Sequence, residues 1–252
     1  MISKNQIKFI RSLELKKNRR HEGLFVAEGP KVVGDLLRAG FLPHSIYSTT
    51  HQWTTDYGQQ WTLVSDEELH RISFLQHPQE VLAVFHIPTD TPSSSTANHQ
   101  QPTENTLALA LDGVQDPGNL GTIIRIADWF DITTIYCSPD TVDAYNPKVV
   151  QATMGSIAHV HIIITDLASL LGEAQCPVYG TLLDGEDIYH QTLTPNGIIV
   201  MGNEGNGISP AIRPLITRRL LIPKFNTDSE SAESLNVAIA TAITCSEFRR
   251  NS

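Results

Sequence analysis

Within Leu111–Phe130, LDGVQDPGNLGTIIRIADWF, a strand-like run ends at Asp112 and a turn rich in Gly, Pro and Asn leads into a helical pattern. At about 100° per residue Leu120, Ile123, Ile124, Ala127 and Phe130 share one face, while Arg125 and Trp129 point roughly opposite. Arg125 is therefore presented outward and not packed. A helix that starts after Gly118, Asn119 and Gly121 offers unpaired backbone N–H groups, which suit a phosphate or another anion. Spacing alone fits an ordinary strand-to-helix turn with a surface arginine at least as well.

A second run, IIVMGNEGNGIS at Ile198–Ser209, opens from a β-rich segment into a loop with glycines at 202, 205 and 207. Glycines let a ligand approach the backbone closely. The loop is neither a phosphate loop with a lysine nor a dinucleotide fingerprint. Glu204, in its middle, either caps nearby amides or serves as a functional carboxylate. In the third run, LLIPKFNTDSESAESLNVAIATAITCSEFRR at Leu220–Arg250, Ser234 is the expected N-cap of a helix. Ala238, Ala240 and Ala242 keep that helix narrow, and Leu235, Ile239 and Ile243 form the expected apolar stripe. Asn236 must find a partner if it is buried. A capped terminal core helix and a site role fit this run equally.

These runs need a scaffold. From Leu107 onward, apolar strand candidates recur at Leu107–Leu111, Thr134–Cys137, Val160–Ile164, Val178–Leu182, Ile198–Met201 and Leu220–Ile222, with helical patterns between most of them. That alternation predicts an α/β domain with a parallel sheet, over residues 107–252, with ligands at the carboxyl ends of its strands. Residues 1–87 predict a smaller α/β domain: amphipathic segments at Ser3–Leu15, Pro30–Ala39 and Asp66–Leu75 alternate with β-type runs at Ser45–Ser48, Trp61–Val64 and Val81–Ile87. Between the two, residues 88–106 are rich in Pro, Ser, Thr, Asn and Gln and are expected to be a linker.

The chain has 252 residues, 40% of them hydrophobic and 18% charged, an ordinary composition for a protein with a real core. The first twenty residues interleave charge with apolar side chains, and no run of eighteen apolar residues follows, so a cytoplasmic, non-membrane protein is expected. Cys137, Cys176 and Cys245 form no C-x-x-C and read as small buried apolar residues. The ten histidines fall in no metal-ligand spacing, so no metal is expected. The net charge of −9 argues against a polyanionic partner until its distribution is considered. Residues 1–40 hold nine basic and four acidic residues, a local +5 against −14 for the remainder. That is the footprint of a nucleic-acid-contacting arm, or else of a solvated helix face.

In order and spacing, NLGTIIR at Asn119–Arg125, GNEGNGIS at Gly202–Ser209 and SLNVAIA at Ser234–Ala240 resemble the three motifs of the SpoU (TrmH-like) RNA 2′-O-ribose methyltransferases of the SPOUT superfamily. FVAEGPKVVGDLL at Phe25–Leu37 resembles the RNA substrate-binding domain of the same family. The resemblance covers nearly the whole chain. It implies a deep trefoil knot in the carboxyl-terminal domain, which general topology rules would exclude. It further implies S-adenosylmethionine as cofactor, RNA as partner and a homodimer whose sites borrow from both subunits. Asn119, Arg125, Glu204, Ser234 and Asn236 match the family's catalytic positions. Cofactor contacts, largely through backbone, would fall near Thr181, Leu182, Gly202, Ile222 and Leu235, and RNA contacts at Lys16, Lys17, Arg19, Arg20 and Lys31. One departure is that KFNTDSESAE, between Pro223 and Ser234, is longer than the compact Gly-containing loop of the family.

The reaction so implied is methylation of a ribose 2′-hydroxyl, with large-subunit ribosomal RNA favoured over transfer RNA by the appended N-terminal domain. A guanidinium hardly ever gives up its proton, so Arg125 is expected to act as a fixed charge and not as a base. Two other classes compete. A non-catalytic RNA-binding protein of the same fold has no need of five motif residues together, and a nucleotide-dependent oxidoreductase would carry the dinucleotide fingerprint that is missing here.

Overall fold

The computed structural model describes residues 2–53, 61–88, 106–226 and 234–250. It divides into two compact units, one formed by Met1–Thr91 with Asp143–Ala158, the other by Pro92–Val142 with His159–Ser252. Most of the expected linker, residues 89–105, lies outside the described residues, as does 227–233 of the long segment before Ser234. Among the described residues no helix is long and apolar enough to cross a membrane.

The first unit is built on a four-stranded sheet, β1 (Leu24–Glu28), β2 (Pro43–Ser48), β3 (Trp61–Leu63) and β4 (Val81–His86), in the order β1-β4-β2-β3. Strand β1 was not among the expected strands. It is buried at every position, so it lacks the alternation that marks a half-exposed strand. One face packs Ile10 of helix α1 (Lys4–Ser12), Leu13 that caps it, and Leu69 and Ile72 of α4 (Asp66–Ile72) in one cluster with Leu24, Val26, Leu82 and Val84. The other carries Phe25, which stacks on Phe85 at 5.7 Å and meets Tyr145 at 4.8 Å. Helix α3 (Pro30–Arg38) follows β1 with proline in its first turn.

The expected helix Ser3–Leu15 ends early, and a separate helix α2 (Lys16–Glu22) carries the basic cluster. The break has a polar cause. Arg19 is 1% exposed and turns its guanidinium inward, donating from Nη1 to the carbonyls of Leu13 (2.8 Å) and Glu14 (2.7 Å) and from Nε to Asp143 Oδ2 at 3.0 Å. It satisfies carbonyls that the end of α1 leaves unpaired. Arg19 is therefore corrected from an RNA contact to a structural residue. Lys17 and Arg20 are exposed and Lys16 half-buried, while Lys31 is exposed but bonded to Asp35 (2.8 Å) and to the Met154 carbonyl (2.7 Å).

The second unit is a six-stranded, wholly parallel sheet ordered β10-β8-β9-β5-β6-β7. Its strands are β5 (Leu107–Leu111), β6 (Thr134–Cys137), β7 (His161–Ile164), β8 (Val178–Asp187), β9 (Gly197–Met201) and β10 (Arg218–Leu221). Helices α5 (Pro117–Trp129) and α7 (Leu167–Gly172), together with α8 (Val237–Arg249), cover it; α6 (Pro147–Ala152) belongs to the first unit. Every residue of β5 and β9 is buried, as expected for central strands covered on both faces. Burying one such Leu, Ile or Val contributes about 1.5–3 kcal/mol. Cys137 and Cys245 are buried, and burial pushes both thiols up to about 12; Cys176, expected to be buried, is half-exposed.

Candidate active site

Strand order decides where a ligand can sit. The chain runs from β5 outward through β6 to β7, then returns so that β9 lies against the other side of β5. The order in which strands are added reverses between β5 and β9, the point at which a parallel sheet opens a crevice beyond its carboxyl ends. The first two sequence runs cross those ends, at Leu111 and at Met201. Asp112, just after β5, accepts from the Ser209 backbone N–H at 2.7 Å, and its own N–H donates to the Met201 carbonyl at 2.9 Å. Asn203 donates from Nδ2 to the Gly113 carbonyl at 2.7 Å and accepts from the Gly205 and Asn206 backbone with its Oδ1.

Glu204 then receives the turn before α5. Its carboxylate accepts from the backbone of Gln115 and Asp116, each at 3.3 Å, and from Asn119 Nδ2 at 3.1 Å. Burial works to raise its pKa, but the hydrogen bonds, led by that from Asn119, outweigh it and hold the carboxyl below the ordinary range. Glu204 is thus both a cap on amides and an ionised group beside a cavity. At the start of α5, where the sequence left an anion site and an ordinary strand-to-helix turn both open, Asp116 caps the helix by accepting from the Asn119 N–H at 2.8 Å.

The third run joins through Asn119, whose Oδ1 accepts from Asn236 Nδ2 at 2.8 Å. Asn236, not Ser234, is the N-cap of α8, with Oδ1 accepting from Ala238 N (2.9 Å) and Ile239 N (3.3 Å). The helix therefore starts later than expected, and a different face from the expected one is buried: Val237, Ala238, Thr241, Thr244, Cys245 and Phe248 are inside, while Leu235 and Ile239 are about half exposed, at 51% and 52%.

A cavity of about 470 Å³ opens at the ends of β8, β9 and β10. All five positions expected near a cofactor, Thr181, Leu182, Gly202, Ile222 and Leu235, line it, and so do Glu204 and Ser234. Arg125 does not. It is exposed on α5, and among the described residues its guanidinium makes no hydrogen bond or ion pair. Two local features shape the cavity. Strand β8 runs beyond the expected Leu182 to Asp187, and its pairing with β10 jumps from Gly180–Arg219 to Glu186–Leu220, leaving Thr181–Gly185 out of that ladder. At Gly202 a Cβ would lie 2.2 Å from the Gly207 carbonyl carbon and 2.3 Å from Ile208 N, so only glycine permits the loop to close on itself.

Sequence reasoning missed three lining residues with polar or apolar consequence: Leu183, Asp184 and Arg213. Asp184 and Arg213 form an ion pair, and Arg219 Nη1 donates to the same Asp184 oxygen at 3.2 Å. No motif marked them, because the β8 bulge that presents Asp184 depends on the partner strand. Among the described residues no group of His, Cys, Asp and Glu could hold a metal ion.

Known proteins resemble this chain in sequence and in fold. Residues 106–246 match the model of the SpoU rRNA Methylase family, and residues 4–83 match the MRM3-like substrate binding domain. The 23S rRNA (guanosine(2553)-2′-O)-methyltransferase RlmP of Bacillus subtilis is 30% identical over 249 residues, covering 96% of this chain and 95% of that protein. A TrmH-family structure from Porphyromonas gingivalis is 41% identical with a TM-score of 0.85, covering all of both chains. The AdoMet-bound rRNA methyltransferase of Sinorhizobium meliloti is 30% identical with a TM-score of 0.87, covering 99% of this chain and 97% of that one.

Proposed function

The chain belongs to the SpoU rRNA methylase family, and we propose that it methylates a ribose 2′-hydroxyl of ribosomal RNA with S-adenosylmethionine as donor. The observation that carries this reading is the hydrogen-bonded series Asn236–Asn119–Glu204, which draws three sequence runs to the edge of one cavity. The names of two full-length relatives, the 23S rRNA 2′-O-methyltransferase of Bacillus subtilis and the AdoMet-bound rRNA methyltransferase of Sinorhizobium meliloti, support it.

The residues fit the donor. A cavity of about 470 Å³ is of the size that holds small molecules. Leu182, Met201, Ile222 and Val237 offer an apolar wall for an adenosyl group, and Glu204, held ionised, gives negative potential toward a sulfonium. Bound there, the donor would supply an electrophilic methyl group.

The protein must do the rest. A ribose hydroxyl is a poor nucleophile, and in-line attack requires that it be held on axis; such positioning is worth up to about 7–11 kcal/mol in favourable cases. Asn119, its amide fixed by Glu204 and Asn236, orients the target nucleotide. Arg125 acts as a fixed cation that lowers the hydroxyl pKa by about 1–3 units and stabilises the developing alkoxide, while a substrate phosphate or water takes the proton. Because Arg125 stands outside the cavity of its own subunit, it serves the cavity of a second copy in a homodimer. Trp129, one turn further along α5 and 84% exposed, belongs to the face that the second copy covers. A trefoil knot in the carboxyl-terminal domain, and RNA contacts at Lys16, Lys17, Arg20 and Lys31, are part of the same proposal.

The test is transfer of labelled methyl groups to separate pools of ribosomal and transfer RNA, with the product located by alkali-resistant linkages. Labelled ribosomal RNA with wild type but not with Arg125→Ala is expected. Labelled transfer RNA alone would replace the substrate, and no transfer with no donor binding would leave an RNA-binding protein. Arg125→Lys should keep part of the activity; if it is as inactive as Arg125→Ala while both bind donor and RNA, a charge role is wrong.

A further inference from the structure

Among the described residues, three charged ones line the cavity: Glu204, Asp184 and Arg213. Glu204 is already committed to Gln115, Asp116 and Asn119. The Asp184 carboxylate is shared by two guanidinium groups, Arg213 and Arg219. Among the described residues no second carboxylate pairs with either arginine, so this cluster carries one uncompensated positive charge. Arg213 spends one N–H group on Asp184. A guanidinium has five, so most of its donors are free to meet a ligand. Its side chain is 41% exposed and lines the same cavity as Thr181 and Leu182.

The cavity is therefore bipolar, with an ionised carboxylate and a separate cluster of net positive charge. S-adenosylmethionine carries a sulfonium cation and, three carbons along the chain, an α-carboxylate beside an α-ammonium group. We propose that Arg213 binds the donor's carboxylate, and that Asp184, tied to Arg219 as well, is the positioning residue that holds the Arg213 fork toward the cavity. Both come from outside the three motifs. The bulge of β8 brings Asp184 to the cavity edge, and the turn after the Gly202–Gly207 loop brings Arg213. An RNA phosphate is the other anion an arginine could take, but Arg213 opens on the cavity, whereas Arg219 does not line it.

This inference rests on the donor occupying the cavity, and the experiment separates the two. Binding of S-adenosylhomocysteine and of 5′-methylthioadenosine, which lacks the amino-acid tail, is measured by calorimetry on the full chain. Wild type should prefer S-adenosylhomocysteine. Arg213→Gln, which keeps size and a hydrogen-bond donor for Asp184, should weaken S-adenosylhomocysteine about tenfold or more and leave 5′-methylthioadenosine within about twofold, since charge-assisted bonds are the strong ones. Arg213→Lys should fall between. Retained 5′-methylthioadenosine binding shows that the variant's cavity is folded. Equal loss of both ligands, or loss of neither, overturns the role of Arg213 and leaves the donor reading intact; loss of RNA retention alone would assign the guanidinium to the RNA. If wild type binds neither ligand, the donor reading falls and this inference with it.

Discussion

Asn119 Nδ2 and Glu204 Oε1 meet at 3.1 Å across 85 residues of sequence. The bond sets which way the Asn119 amide faces, because a carboxylate only accepts; the Asn119 oxygen is thereby turned to Asn236, which donates to it at 2.8 Å. An asparagine with both ends committed has one orientation, the property needed in a group that aligns a nucleophile.

Glu204→Gln should upset this array. The new amide would direct a donor at the N–H groups that Glu204 now accepts, and a loss of about 1 kcal/mol in stability at neutral pH is expected. The Glu204 carboxyl lies below its ordinary 4.5 in the folded protein, so its contribution is present above that pH and is lost as pH falls through the folded value. Denaturant titrations of wild type and variant should therefore converge below about pH 4.5. A difference that persists unchanged into acid would show that Glu204 matters by packing and not by charge.

Asn236 does two jobs that substitution can split. Asn236→Ala loses both the cap of α8 and the bond to Asn119, and should cost about 1 kcal/mol. Asn236→Asp keeps the capping oxygen but sets an acceptor against the Asn119 oxygen. It should melt close to wild type and still transfer methyl groups more slowly. Equal activity of Asn236→Asp and wild type would remove Asn236 from the alignment of Asn119.

Gly202→Ala places a methyl group against the backbone of Gly207 and Ile208, where nothing flexible can yield. The loop must open. Titration with S-adenosylhomocysteine should show affinity about tenfold lower or worse, while far-ultraviolet circular dichroism stays unchanged, since β9 itself ends at Met201. Undiminished binding would mean that the loop can open without deforming the cavity.

Two neighbours in the basic helix should behave oppositely. Arg19→Ala strands Asp143, which is 13% exposed, and the carbonyls of Leu13 and Glu14, and removing one member of a buried pair costs about 3–5 kcal/mol. Lys17→Ala, on the exposed face, should change stability by less than about 0.5 kcal/mol yet lower the salt dependence of RNA binding by about one ion. Thermal melts together with filter binding at several salt concentrations distinguish them; a stable Arg19→Ala with weakened RNA binding would reverse the structural assignment of Arg19.

Much was legible in the residues themselves. The alternation of apolar runs and helical patterns determined an α/β chain with a parallel sheet, because strands buried on both faces must be apolar throughout. The outward direction of Arg125 and Trp129 followed from helical periodicity, and the motif residues from their order and type. What the tertiary structure decided is which partners complete each local choice. Ser234 and Asn236 are both good caps, and Asn236 caps because its side chain also reaches Asn119. Arg19 reads like any basic residue of a solvated helix until Asp143 and the end of α1 enclose it. Leu235 and Ile239 look like a core stripe but are about half exposed, since Leu235 lies before α8 and that helix packs the face of Val237, Thr241, Thr244 and Phe248 inward. The β8 bulge, with Asp184 at the cavity edge, exists only because β10 skips register beside it, and pairing between strands some 35 residues apart leaves no mark in local sequence. Long-range pairing and polar satisfaction, unlike hydrophobic periodicity, are properties of two segments at once.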